Sequence, residues 1–244
     1  MKATATELAT YWACPFLYDV ACRRKEPLPF GAAGRRFGNV LHAAIAEYER
    51  GGGSLDRAFR ILRERGAGLS EDDAEEARAI LRWRHERAPG REGRPWLIEG
   101  SLRASLGEHR LHVRVDRLDR LDGGMLLAEY KGGRTVDLDL VRVQLTLLSA
   151  AALEVLGSAP KQWELEILRT RTAVRLPAET DPRRLRSFAI GLIDGIAAGD
   201  REPRPFDPDY CRRCPARAFC PRATPRPKPL RPPGPDAEIQ LRLF

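Results

Sequence analysis

The chain has 244 residues, of which 43% are apolar and 31% charged, enough for one large domain or a core with appendages. No apolar run approaches a membrane span, and the N-terminus lacks the apolar stretch of a secretory signal, so a cytoplasmic protein is expected. The net charge of +8 and the pI near 9.6 favour a polyanionic partner, although the excess of arginine makes charge by itself a weak guide.

In chain order, residues 4–23 read as a helix capped by Thr4 or Thr6, with Glu7 in its first turn, followed by a second short turn opened by Cys14-Pro15. Residues 34–50 form a helix whose stripe is Phe37, Val40, Leu41, Ala44, Ile45 and Tyr48. Two more helices, 54–66 and 70–88, start at the caps Ser54 and Ser70, and their charges read as a solvated face. The sheet begins at 96–106. It is followed by a helix over 137–157 ended by Gly157, strands over 161–169 and 172–176, and a helix over 181–199 opened by Asp181-Pro182.

Between the first strand and the 137–157 helix lies the stretch HVRVDRLDRLDGGMLLAEYK, residues 112–131. Leu111, Val113 and Val115 alternate with His112, Arg114 and Asp116, and Asp122-Gly123-Gly124 supplies a turn. In a strand, residues two apart share a face, so Glu129 and Lys131 point the same way, and a hairpin can bring Asp116 beside them. Two carboxylates hold a hard divalent cation, which polarises a phosphodiester and acidifies a bound water. The plain alternative is a surface hairpin carrying a Glu/Lys pair. Asp119 and Asp122 compete with Asp116, but Asp119 falls on the opposite strand face and Asp122 belongs to the turn.

The five cysteines cluster at the two ends: Cys14 and Cys22, then Cys211, Cys214 and Cys220. In a cytosolic chain this argues for a metal site rather than disulfides. Cys211 and Cys214 are spaced to grip one metal centre, with Cys220 close behind.

Taken together, Val115-Asp116-Arg117 and Glu129-Tyr130-Lys131-Gly132-Gly133 resemble the core of the PD-(D/E)XK nuclease superfamily in its RecB-like branch. The resemblance implies an α/β restriction-endonuclease-like core, a central mixed sheet flanked by helices, with a helical N-terminal insertion. It makes Asp116, Glu129 and Lys131 catalytic. Mg2+ or Mn2+ would be held by Asp116, Glu129 and the Tyr130 carbonyl. Gly38 and His42 match the branch's G-x-x-x-H pattern, which makes His42 a further ligand and shifts preference toward manganese. Gln144 matches the first position of a Q-x-x-x-Y motif and is implied to contact DNA, but Leu148 stands where the motif has tyrosine.

Thr6, Leu8, Tyr11, Cys14, Pro15 and Tyr18 resemble the entry to iron–sulfur members of the same branch, of the AddB type and the CRISPR adaptation type. This implies a [4Fe–4S] cluster on Cys14, Cys211, Cys214 and Cys220, with Zn2+ on the same thiolates as the alternative. After residue 222 the chain becomes rich in proline and arginine, an extended linker over 223–236. Residues 237–244 close with Gln240, Leu241, Leu243 and Phe244, which resemble the bacterial sliding-clamp-binding peptide. The expected whole is one nuclease domain over 1–222 and a tethered docking peptide, acting on single-stranded DNA or DNA ends in repair or recombination. A non-cutting DNA-binding or clamp-associated scaffold and a CRISPR adaptation nuclease are the rival readings.

Overall fold

The computed structural model describes residues 1–28, 32–90 and 93–221. The linker and the clamp-like peptide expected over 223–244 lie outside the described residues. A mixed sheet forms the centre, and helices cover both of its faces.

Two long strands set the frame. β2 (Arg94–Leu106) and β3 (His109–Leu121) form an antiparallel hairpin, turned at Gly107, whose φ of +59° suits glycine. β2 follows β3 along nearly its whole length. The other edge of β3 is therefore shared by two strands. β1 (Lys2–Thr4) pairs in parallel with Arg110–His112, and β4 (Gly124–Lys131) pairs antiparallel with Arg117–Leu121. Residues 113–116 of β3 fall between them without a strand partner on that edge among the described residues, so the sheet opens there. β5 (Gln162–Ile167), parallel to β4, and β6 (Thr172–Pro177), antiparallel to β5, complete the sheet.

The helices divide by face. α1 (Ala5–Ala13), α2 (Pro15–Tyr18), α6 (Leu138–Leu156) and α7 (Pro182–Ala197) share one core with Leu127, Trp163 and Leu165 of the sheet. α3 (Ala32–Arg50), α4 (Leu55–Arg65) and α5 (Glu71–Arg87) form the other core, against Ala128 and Tyr130. The alternation of β4 thus sends Ala128 and Tyr130 to the α3–α5 side and Leu127 to the α6 side.

The helix starts read from the sequence hold. Thr4 and Glu7 form a reciprocal capping box on α1, and Ser54, Ser70, Asp137 and Asp181 each accept a backbone N–H at the start of their helices. Gly157, at φ +77°, ends α6. The charges of α5 differ from expectation at one point. Arg84 is fully buried. Its guanidinium donates to Glu166, to Glu49 Oε1 at 2.8 Å and to the Tyr130 hydroxyl at 3.0 Å. Arg117 joins the same network through Glu49 at 3.0 Å and through a two-point pair with Asp119 at 2.6 and 2.5 Å. This buried network anchors the helical layer to β3, β4 and β5.

Candidate metal centre and active site

The site lies where β3 and β4 part. Their ladder ends at Arg117↔Ala128, and the Asp116 side chain takes over from the backbone: its Oδ2 accepts the Tyr130 N–H at 2.8 Å. One residue before Tyr130, Glu129 sits with only 12% of its side chain exposed. Lys131 donates to Glu129 Oε1 at 2.7 Å and to Gln144 Oε1 of α6 at 2.5 Å. The hairpin argument from sequence therefore places Asp116, Glu129 and Lys131 together. Gln144, expected at the nucleic acid, holds the lysine in this structure.

α3 brings in His42 from the opposite layer. Its Nδ1 lies 2.8 Å from Glu99 Oε1 and 3.3 Å from Asp116 Oδ1. Ligand atoms of His42, Glu99 and Asp116 all fall within 4.8 Å of one another. Gly38, one turn before His42, faces open space, and the loop after Lys131 passes near it, so that a Cβ on Gly132 would stand 3.6 Å from the Gly38 Cα, an ordinary contact.

Glu99 is the residue that the sequence reading missed. It occupies β2 with φ +47°, a left-handed conformation that costs a non-glycine residue on the order of 1–3 kcal/mol and is retained where surrounding contacts enforce it. The signal was available in the hairpin register. Gly100 pairs with Val115 and Ile98 with Arg117, so counting back from the turn at Gly107 sets Glu99 opposite Asp116. Arg114 grips the second Glu99 oxygen, Oε2, through Nε at 2.8 Å and Nη2 at 2.5 Å.

The electrostatics are those of buried, crowded carboxylates. Burial, and then the neighbouring Asp116 carboxylate, push the Glu129 carboxyl up to about 7, with Lys131 only partly offsetting them. Burial disfavours a charged His42, but its hydrogen bonds to Asp116 and Glu99 outweigh that and push the imidazole up to about 10. A proton on His42 thus neutralises carboxylates that a divalent cation would neutralise better. Oxygen and imidazole donors at this spacing fit Mg2+ or, with the nitrogen, Mn2+. A cavity of about 240 Å³ adjoins Glu129 in the gap of the sheet, lined also by Thr6, His112, Arg114, Gln144 and Leu148.

The cysteines of the two chain ends come near one another at a second place, although no three of them form a ligand group at metal spacing among the described residues. Cys14 is buried at the joint between α1 and α2. Phe206 returns to that joint, its N–H donating to the Ala13 carbonyl at 3.0 Å and its ring lying 4.7 Å from Trp12. The 3-10 turns Pro208–Arg213 and Arg217–Phe219 follow and carry in Cys211, Cys214 and Cys220. All are free thiols. Burial raises the pKa of Cys211, Cys214 and Cys220, and in each case proximity to Cys14 raises it further. Cys22 stands apart from this group, its thiol pushed up to about 11 by burial and the charge of Glu7.

The sequence profile of the PD-(D/E)XK nuclease superfamily matches residues 2–221. Among solved structures, a Eubacterium rectale protein described as a candidate exonuclease superposes with a TM-score of 0.53 at 13% identity, over 92% of this chain and 89% of its own. SSO0001 gives a TM-score of 0.41 at 16% identity, over 90% of this chain and 85% of its own. No curated protein sequence matches. No helix among the described residues is long and apolar enough to cross a membrane. A profile match spanning nearly all of the described chain, on a mixed sheet with Asp116, Glu129 and Lys131 gathered at its opening, makes this chain a member of the PD-(D/E)XK nuclease superfamily.

Proposed function

We propose that the chain is a metal-dependent deoxyribonuclease that acts on single-stranded DNA or DNA ends. The observation that carries this reading is the convergence of His42, Glu99 and Asp116 donors within 4.8 Å, beside a Glu129–Lys131 pair held at 2.7 Å. Asp116 and His42, with Glu99 and Glu129 as the further carboxylates, are the residues that would hold Mg2+ or Mn2+, with the Tyr130 carbonyl as a backbone donor. The bound cation supplies Lewis acidity toward a phosphodiester and lowers the pKa of water.

The chain's own groups do the rest. Gln144 and Glu129 hold the Lys131 ammonium from two sides, so its remaining proton can orient a water toward phosphorus. The water oxygen bonds to phosphorus as the P–O bond to the leaving strand breaks, the water giving up a proton to solvent and the leaving oxygen taking one up. Tyr130 N–H keeps one Asp116 oxygen turned inward and leaves the other toward His42. The retained Asp, Glu and Lys argue against a non-cutting scaffold, which has no use for all three. The name of the Eubacterium rectale protein favours exonuclease action.

Two accessory features belong to the same proposal. Cys14, Cys211, Cys214 and Cys220 would bind a [4Fe–4S] cluster, or Zn2+ on the same thiolates, tying the first helices to the last turns. About four irons per chain after anaerobic purification supports the cluster, and stoichiometric zinc in a colourless protein rejects it. Gln240, Leu241, Leu243 and Phe244 would dock on a bacterial sliding clamp and favour repair or recombination over CRISPR adaptation. Clamp pull-down that survives deletion of this peptide would reject the docking role. The test of the main reading is digestion of end-labelled single- and double-stranded DNA with Mn2+ and with EDTA. Metal-dependent cleavage is expected, and none in any divalent cation refutes it.

A further inference from the structure

Glu99 and its partner Arg114 point to a substrate contact that neither the motif nor the fold assigns. We propose that Arg114 is a phosphate-binding residue of the substrate strand, held ready by Glu99, and that the cavity beside Glu129 receives the phosphodiester next to the one being cut. This deepens the nuclease reading and rests on it.

The geometry of the guanidinium carries the argument. Arginine presents five N–H donors in a planar fork with two usable edges. One edge, Nε and Nη2, is committed to Glu99 Oε2 at 2.8 and 2.5 Å. That fixes the plane of the group. The other edge, Nη1 with the second proton of Nη2, has no partner among the described residues, and the side chain is 69% exposed. An oriented guanidinium with one free edge is preorganised for a bidentate oxyanion such as phosphate.

Its surroundings select the same ligand. Arg114 lines the cavity of about 240 Å³, with Glu129 and Gln144 also in its wall. Gln144 and Glu129 hold Lys131, so one side of the cavity is the reacting centre and Arg114 is its fixed cation. His112 lines the cavity too, and its Nε2 is buried without a hydrogen-bond partner among the described residues. Arg114 and Asp116 are two residues apart on β3, a rise of roughly 7 Å. A strand bound at the metal site therefore reaches Arg114 without leaving the gap in the sheet.

The competing account makes Arg114 only a neutraliser of Glu99. An ion pair with so exposed a partner is worth roughly 0–1 kcal/mol, and Glu99 already has His42 on its other oxygen. Such a pair contributes little to the fold, whereas a charged contact to phosphate contributes to binding directly.

The test uses the full chain, a fluorescein-labelled single-stranded oligonucleotide with EDTA present to prevent cleavage, and a separate calorimetric titration with Mn2+ alone. Arg114→Ala is expected to weaken oligonucleotide binding about tenfold and to reduce the slope of log K against log salt by about 0.7, one phosphate contact. Arg114→Lys, which keeps the charge but not the fork, should fall between. Mn2+ affinity should stay within about twofold of wild type. Unchanged oligonucleotide affinity and salt slope in Arg114→Ala would overturn the proposal. So would a loss matched by an equal loss of Mn2+ affinity, because Arg114 would then act only by steadying Glu99 and His42. If wild type cuts with Mn2+ and the Ala variant binds as wild type does, only this proposal falls. If wild type neither binds nor cuts, the nuclease reading falls with it.

Discussion

Tyr130 divides two clusters of charge that hold their positive charge in different ways. Behind its ring, Arg84 and Arg117 meet Glu49, Asp119 and Glu166 in a buried network in which each guanidinium is matched by carboxylates, and Arg84 also stacks 4.4 Å from the Tyr130 ring. On the backbone side of the same residue, Glu99, Asp116 and Glu129 crowd around one imidazole and one lysine, and burial plus like charge keep Glu129 protonated up to about 7. Arginines carry a permanent charge, so the buried network resists change and fixes position. The site cluster depends instead on protons held by His42 and Glu129, which a divalent cation can replace. The contrast explains how a site of mutually repelling acids stays in place: the residue that donates to Asp116 is pinned from behind by Arg84.

Substitutions should separate the two clusters. The largest expected effect is on cleavage: Asp116→Ala or Glu129→Ala should lower the rate by roughly 10³–10⁴-fold, about 4–5.5 kcal/mol of barrier. The urea midpoint of Glu129→Ala should be equal to or above that of wild type, because a crowded carboxylate is removed, whereas Asp116→Ala should lose about 1–3 kcal/mol because the buried Tyr130 N–H loses its acceptor. Cleavage within about tenfold of wild type would remove the residue from the catalytic set. Arg84→Ala should do the reverse, destabilising the fold by about 3–5 kcal/mol because Glu166 and Glu49 lose their buried partner. Urea denaturation measures this, and a loss below about 1 kcal/mol would show that the network is not an anchor. Tyr130→Phe is milder. It removes the hydroxyl bonded to Arg84 at 3.0 Å, at a cost of about 1.5 kcal/mol, but keeps the N–H on Asp116, so cleavage should persist.

The smallest effect is in pH. Glu129 in the folded chain titrates near 7, above its ordinary value of 4.5, so the folded state holds that proton more tightly. The stability it contributes is full below about 4.5 and is lost as pH rises through about 7. His42, raised from 6.5 to about 10, adds a second decline across the higher window. With EDTA present, the urea midpoint should therefore fall from mildly acid to alkaline pH, and Glu129→Gln should flatten the acid part of that fall.

The sequence disclosed features whose signals are local. Alternation and the turn after Leu121 disclosed Asp116, Glu129 and Lys131 as a set, and short-range capping chemistry disclosed the starts of α1, α4, α5 and α7. What escaped depends on distant pairing. β1 has only three residues, and its partner on β3 lies more than a hundred residues away. Arg84 reads as one more charge on a polar helix, and its burial depends on Glu166, 82 residues later. Glu99 escaped because only the register of the whole β2–β3 hairpin brings it to Asp116, and its left-handed backbone has no sequence marker.

The central claim is that the crowded acids form a divalent-cation site, and calorimetry of metal binding without nucleic acid tests it most directly. Wild-type chain and Asp116→Asn would be titrated with Mn2+ at mildly alkaline pH, where Glu129 is ionised. The account predicts saturable binding by wild type, weakened at least tenfold, about 1.4 kcal/mol or more, in Asp116→Asn. Equal Mn2+ binding by the two proteins, or none by wild type, would contradict it.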